Sequence, residues 1–328
     1  MNRHPASVSI LLAVGMLACL APGTQAAITG YAAMGASDTA GTTYTGSWVP
    51  YLANQRGFDF GPSMTYNVAV GGARSDTLLT QGQHTAVQSL VQNGDVDLAY
   101  LMIGGNDFLA VRTSIANGSL TGATLTAWAQ GVVDNIGVAM DTVLSANPQG
   151  MVVAGLPDIG LTAAGQAAFT TSVEFQRIAD AADVVNGILQ TEVLARGQVF
   201  VDTATAMRDL NQGPLIVGGV TIDTVNASAD PTHFFQDVIH PAAVGNGLTA
   251  NLFLQAVNIG YGTNYALLTD LEILTTAGLA ASFTGETSSL PYSNYIVTPV
   301  PEPSTWCLML TAPFAIGLLK YRSRRRAS

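Results

Sequence analysis

"VDLAYLMIGGNDF", residues 96–108, runs from an apolar stretch through a glycine pair to Asn106 and Asp107. Leu98 to Ile103 is too short for an ordinary helix and lacks the polar alternation of a strand with one wet face. It therefore reads as a strand buried on both sides. Four other stretches share the pattern: "ITGYAAMG" (28–35), "MTYNVAV" (64–70), "GMVVAGLP" (150–157) and "QVFVDTAT" (198–205). Between them lie segments with apolar residues at helical spacing, 47–57, 84–94, 125–147 and 172–197. Buried strands alternating with helices predict an α/β fold, a three-layer α/β/α sandwich around a parallel sheet. Pro148 and Gly197 stand where two of those helices should stop.

Residues 28–262 suffice for one sizeable core and do not require two domains. The flanking segments read differently. Residues 1–27 place Arg3 before an apolar run from Val8 to Leu20 and end in small residues, the layout of a secretory signal peptide. Residues 263–299 hold one apolar helical patch, 264–281, and then a Ser-, Thr- and Pro-rich stretch that reads as a spacer. Residues 300–328 carry Pro301-Glu302-Pro303, an apolar segment from Thr305 to Leu319, and a basic cluster of Lys320, Arg322, Arg324, Arg325 and Arg326. Positive charge beside an apolar segment marks the cytoplasmic side of a transmembrane helix. This tail resembles the PEP-CTERM sorting signal of exopolysaccharide-producing Gram-negative bacteria. The resemblance implies export across the inner membrane, a transient anchor there, and processing by an exosortase-type enzyme near Pro301 to Pro303. The processed chain would then be secreted or stay with the cell surface and its exopolysaccharide.

The two cysteines, Cys19 and Cys307, lie in those end segments, so the region between them can form no disulfide. Residues 27–300 contain 21 acidic residues against six arginines and no lysine, a net charge of −15. Such a surface repels phosphates, which argues against a nucleic-acid partner.

In an open α/β sheet, ligands bind outside the carboxyl ends of the strands. "YAAMGAS" ends there in Ser37, "YNVAVGGARS" carries Gly71 and Gly72, and "LAYLMIGGNDF" carries Asn106. "FFQDVIHPAAVGNG" adds Asp237 and His240. A serine hydroxyl becomes a nucleophile when an imidazole takes its proton and a carboxylate holds the other ring nitrogen. Ser37, His240 and Asp237 have those chemistries. An oxyanion hole needs N–H donors, for which the backbone of Ser37 and Gly72 and the amide of Asn106 are candidates. Each also has a plainer reading. "SDTAG" is turn chemistry, His240 could cap the helix after Pro241, Asp107 could brace the turn at Asn106, and "LPDIG" (156–160) could be a strand-to-helix turn. His233, Asp237 and His240 lack a fourth ligand, so neither metal nor cofactor is expected.

Taken in order, the four blocks resemble the SGNH/GDSL hydrolase family over nearly all of Ile28 to Gly260, with "GGND" and "DVIHP" the most specific. The resemblance implies a flavodoxin-like fold, Ser37 as nucleophile, Asp237 and His240 as its partners, and a carboxylic ester as substrate. It puts the glycine donor at Gly72, five residues after Asn67, rather than at Gly71. One departure is that the family's Gly-Asp-Ser is here Gly35-Ala36-Ser37. Two expectations follow. One is an exported esterase acting through an acyl-serine on lipid, short acyl or acetylated polysaccharide esters; the other is a weak or inactive surface-displayed binding module on the same fold. Specificity is expected from loops such as 108–124.

Overall fold

Four short strands, Tyr31–Gly35 (β1), Leu98–Met102 (β2), Gly150–Ala154 (β3) and Val199–Val201 (β4), pair in parallel in that order. The computed structural model describes residues 27–41, 46–287 and 290–299. The helices are Ser37–Ala40 (α1), Val49–Arg56 (α2), Ser75–Thr80 (α3), Gln83–Gln92 (α4), Gly105–Ala116 (α5) and Gly122–Leu144 (α6). They continue as Ala163–Ala168 (α7), Ser172–Ala195 (α8), Thr203–Leu210 (α9), Ala243–Tyr261 (α10) and Asp270–Thr276 (α11).

Successive residues of each strand point to opposite faces, and here both faces are buried. Tyr31, Ala33, Leu98, Tyr100 and Val152 pack with Trp48, Leu52, Phe253 and Ile273 from the α2, α10 and α11 side. Ala32, Met34, Ala99, Leu101 and Val153 pack with Val87, Val133, Ile136 and Leu189 from α4, α6 and α8. Each fully buried large apolar side chain contributes about 1.5–3 kcal/mol, which holds the sheet between two helical layers. The expected three-layer α/β/α sandwich is thus present.

Three features depart from the sequence reading. Residues 64–70 are not a full strand. Val68 and Val70 donate to Ala33 and Gly35 and Tyr66 accepts from Ala33, but only Ala33 and Asn67 form a bridge. The reason lies in one side chain: Asn67 accepts from Ala69 N–H and donates to the Thr39 carbonyl, so it competes with a regular ladder.

Second, Leu215–Val217 (β5), Val220–Ala227 (β6) and His233–Phe235 (β7) form a small separate sheet that the sequence reading did not include. Its hairpin turns on Gly218 and Gly219, at φ 56° and 87°; the "VGGV" there is a hairpin signal that was legible.

Third, the stretch read as a spacer is not one in its described part. Ile296–Val297 (β8) adds to β4 as an antiparallel edge, and Tyr292 and Tyr295 are buried in the first core. The preceding segment is also tied down. Asn251 bonds the Leu268 backbone in both directions, and Arg56 reaches the carbonyls of Ala266 and Leu267 and the Glu272 carboxylate. Residues 28–299 therefore form a single unit, because a few aromatic anchors outweigh a polar average composition. Within 264–281, helix is confined to α11 and the start of a short 3₁₀ turn at Ala280–Ser282, so the helical patch expected there is only partly helical.

Among the described residues no helix is long and apolar enough to cross a membrane. The signal peptide, the apolar segment 305–319 and the sorting signal lie outside the described residues.

Candidate active site

β1 ends at Gly35, whose φ of +151° and close approach to β2 leave no room for a side chain: a Cβ there would lie 2.1 Å from the Met102 carbonyl oxygen. Gly35 N–H donates to the buried Gln83 side chain at 2.9 Å. The chain then turns directly into α1, which sets Ser37 at the carboxyl edge of the sheet. Ala36 is buried between these two positions.

His240 arrives from the loop after β7, 203 residues along the chain. That loop is pinned on several sides. Gln236 N–H donates to the His240 carbonyl, Ala164 N–H to the Val238 carbonyl and Ala242 N–H to the Phe234 carbonyl. His240 Nε2 lies 2.8 Å from Ser37 Oγ, and His240 Nδ1 lies 2.7 Å from Asp237 Oδ2. Asp237 Oδ1 accepts from the backbone N–H groups of Ile239 and His240 at 2.9 and 2.8 Å. Burial pushes the Asp237 carboxyl up, but those two N–H groups and the His240 ring outweigh it and hold the carboxyl below the usual range. An ionised carboxylate only accepts, so Nδ1 carries the ring proton and Nε2 is left to accept from the serine hydroxyl.

The expected oxyanion donors line the same cavity. Asn106, in the first turn of α5, donates through Nδ2 to the Ala73 carbonyl at 2.9 Å, which fixes the amide and leaves its second N–H free. Gly71 and Gly72 both border the cavity, but only Gly72 has a positive φ, 76°. No backbone carbonyl among the described residues takes up the N–H of Ser37 or of Gly72. Asp107 braces this wall from behind: its buried carboxylate accepts from the N–H and hydroxyl of Ser75, each at 2.8 Å, tying α5 to the start of α3.

His233 does not join the site and instead faces Asp223 at 3.7 Å. Among the described residues no group of three His, Cys, Asp or Glu side chains is arranged to hold a metal ion. Within "LPDIG", Asp158 caps the turn at Gly160 and binds Arg208 at 2.7 Å, while Leu156 and Pro157 line the cavity.

The cavity, about 410 Å³, opens beside Ser37, His240 and Asn106. Its further walls come from the 155–162 loop, α9, β7 and α10, with Met207, Phe234 and Leu252 among them. The expectation that 108–124 would form the pocket is corrected: most of that stretch is α5 and the start of α6, and of it only Leu109 reaches the cavity. Sequence reasoning also missed Asp38, which lines the cavity next to Ser37. Burial pushes its carboxyl above the usual range, with His240 pulling it down and Asp237 pushing it up. Gln83 was missed as well, since no local signal links a helix glutamine to a strand-end glycine.

The profile of the GDSL-like lipase/acylhydrolase family matches residues 33–248. No curated protein matches the sequence. Similar solved structures include the extracellular lipase of Streptomyces rimosus, with 23% identity over 66% of this chain and 94% of that one and a TM-score of 0.45. Phospholipase A1 of Streptomyces albidoflavus has 22% identity over 67% and 95%, with a TM-score of 0.45. A variant of an acetyl xylan esterase from Geobacillus stearothermophilus has 16% identity over 69% and 93%, with a TM-score of 0.41.

Proposed function

The chain belongs to the GDSL-like lipase/acylhydrolase family, and from that premise we propose that it is an exported serine esterase working through an acyl-Ser37 intermediate. One observation carries the reading: Ser37 Oγ, the His240 ring and the Asp237 carboxylate form an unbroken hydrogen-bonded chain, 2.8 and 2.7 Å, in the wall of a cavity. His240 Nε2 takes the hydroxyl proton as Ser37 Oγ bonds to the ester carbonyl carbon. The N–H groups of Ser37 and Gly72 and the Asn106 amide receive the resulting oxyanion. The carbon–alkoxy bond then breaks, and the proton on His240 leaves with the alcohol. Water repeats the sequence on the acyl-serine and restores the enzyme.

A fluorophosphonate should add covalently to Ser37 and to no other serine, and Ser37→Ala should abolish both labelling and ester hydrolysis. Labelling elsewhere would mean that another serine is the nucleophile. The rival reading, a binding module without turnover, rests on Ala36. A parent that folds but hydrolyses no ester, and gains activity with Ala36→Asp, would favour it.

Export and anchoring belong to the same proposal, supported by the residues at 1–27 and 300–328. Protein released by the native host should show an intact mass ending near residue 300. Released protein still carrying Arg324 to Arg326 would rule the sorting step out.

A further inference from the structure

The cavity beside Ser37 is elongated and lined mostly by apolar side chains. Its lining includes residues that follow each parallel strand in turn: Ser37 after β1, Asn106 after β2, Leu156 after β3 and Thr203 after β4. Neighbouring strands lie about 4.8 Å apart, so the cavity crosses three spacings, roughly 14 Å.

Apart from Ser37, Asp38, Asn106 and His240 at its mouth, the polar side chains among its described lining residues are three threonines. Each hydroxyl is turned onto a nearby backbone carbonyl. Thr162 donates to Ile159 and Thr203 to Gly155, both at 2.7 Å, and Thr249 donates to Gly245 at 2.9 Å. With those donors engaged, the threonines present methyl groups and oxygens that can only accept. Ile103, Leu156, Met207 and Phe234 supply much of the rest. A sugar ring placed here would lose its water and find few partners in return, whereas a hydrocarbon would lose nothing.

The chemistry also orients the ester. The leaving alcohol takes its proton from His240 Nε2, on a loop whose Asp237 and Val238 side chains are exposed, 45% and 52%, whereas the cavity extends from Ser37 away from that loop toward the end of β4. The acyl group is accordingly assigned to the interior and the alcohol to the loop side.

Resting on the serine-esterase reading above, we infer that the preferred acyl group is an unbranched hydrocarbon chain of about eight to twelve carbons, the length that fills roughly 14 Å at ordinary carbon–carbon bond lengths. Such a chain stays bound as the acyl-Ser37 ester after the carbon–alkoxy bond has broken, and it leaves as the carboxylate when water attacks. An acetyl group would leave most of the cavity unfilled.

The test uses the full chain with p-nitrophenyl esters from acetate to palmitate, together with acetates of alcohols of increasing length. The value of kcat/KM should rise about two- to fourfold per methylene, reach at least a hundredfold over acetate near decanoate, and stop rising beyond dodecanoate. Ala206→Phe, which fills the β4 end of the cavity, should lower the decanoate-to-acetate ratio at least tenfold; should that variant misfold, the ester series on the parent decides alone. If Ser37 is labelled by fluorophosphonate yet acetate is the best acyl group, or the gain follows alcohol length instead, the inference fails while the esterase reading survives. An unchanged ratio in folded Ala206→Phe also overturns it. If Ser37 is not labelled and no ester turns over, the esterase reading itself has failed and the inference goes with it.

Discussion

Replacing Asp237 by asparagine tests the site with almost no change of shape. The aspartate makes three bonds: Oδ1 accepts from the N–H of Ile239 and of His240, and Oδ2 faces His240 Nδ1 at 2.7 Å. An asparagine keeps the two backbone bonds if its carbonyl oxygen takes the Oδ1 position, so the loop should hold. Its amide then presents N–H, not oxygen, to the ring. His240 Nδ1 must accept, the ring proton moves to Nε2, and Nε2 becomes a donor toward Ser37 Oγ at 2.8 Å. A base already protonated on the atom facing the nucleophile cannot take its proton. The loss expected for this tautomer error is about 10⁴-fold in kcat, an activation cost of about 5 kcal/mol. Asp237→Ala should lose less than Ser37→Ala or His240→Ala, because the carboxylate orients and stabilises while the other two carry the bond changes. The assay is steady-state hydrolysis of a p-nitrophenyl ester, alongside the rate of fluorophosphonate labelling and a thermal melt to confirm folding. Asparagine activity within tenfold of the parent, with Ser37→Ala inactive, would refute the tautomer argument and reduce Asp237 to a loop brace.

Asn106→Ala should lower kcat about a hundredfold to a thousandfold with little change in KM, the usual cost of losing one oxyanion donor; unchanged kcat would leave Asn106 a turn residue. Gly35→Ala drives a methyl group against the Met102 carbonyl oxygen at a φ of +151°, so it should cost about 3 kcal/mol or more, and a melt indistinguishable from the parent would contradict the close approach of β1 to β2. The Arg56 guanidinium, 2.7 Å from Glu272, holds that carboxyl at about 2 against an ordinary 4.5. A depressed carboxyl stabilises the fold above its unfolded value and loses that contribution as pH falls toward its folded one, so the effect is full above about pH 4.5 and gone near pH 2. Because Glu272 is one-third exposed, solvent screening reduces the contribution to about 1 kcal/mol. Thermal melts of Glu272→Gln should therefore lie about 2–4 °C below the parent at pH 7 and merge with it near pH 2; a constant gap across that range would show that the pair does not titrate as described.

Much of the molecule follows from local patterns. The continuous apolar runs at 31–35, 98–102 and 150–154 admit only strands buried on both faces, and the long amphipathic stretches between them can only cover such a sheet. That arrangement alone brings Ser37 and Asn106 toward one edge, since each follows a strand of the parallel sheet, whereas His240 arrives from the loop after β7 of the separate small sheet. Asp237 and His240 stand three residues apart, a contact that spacing foretells. What the letters could not supply is every contact whose partners are distant in the chain and ordinary in type. Asn67 reads as one more strand residue until its side chain is seen bonded to the Thr39 carbonyl. Residues 282–299 read as a Ser-, Thr- and Pro-rich spacer, yet Tyr292, Tyr295 and β8 close the sheet edge, because a few buried rings decide packing where composition counts all residues alike. The cavity is the clearest case. Its walls come from α9, β7 and α10, and its apolar character depends on which carbonyl each threonine hydroxyl reaches. Periodicity reports which face of an element is apolar; only the packed chain decides which faces enclose an empty space and which polar atoms have already found partners.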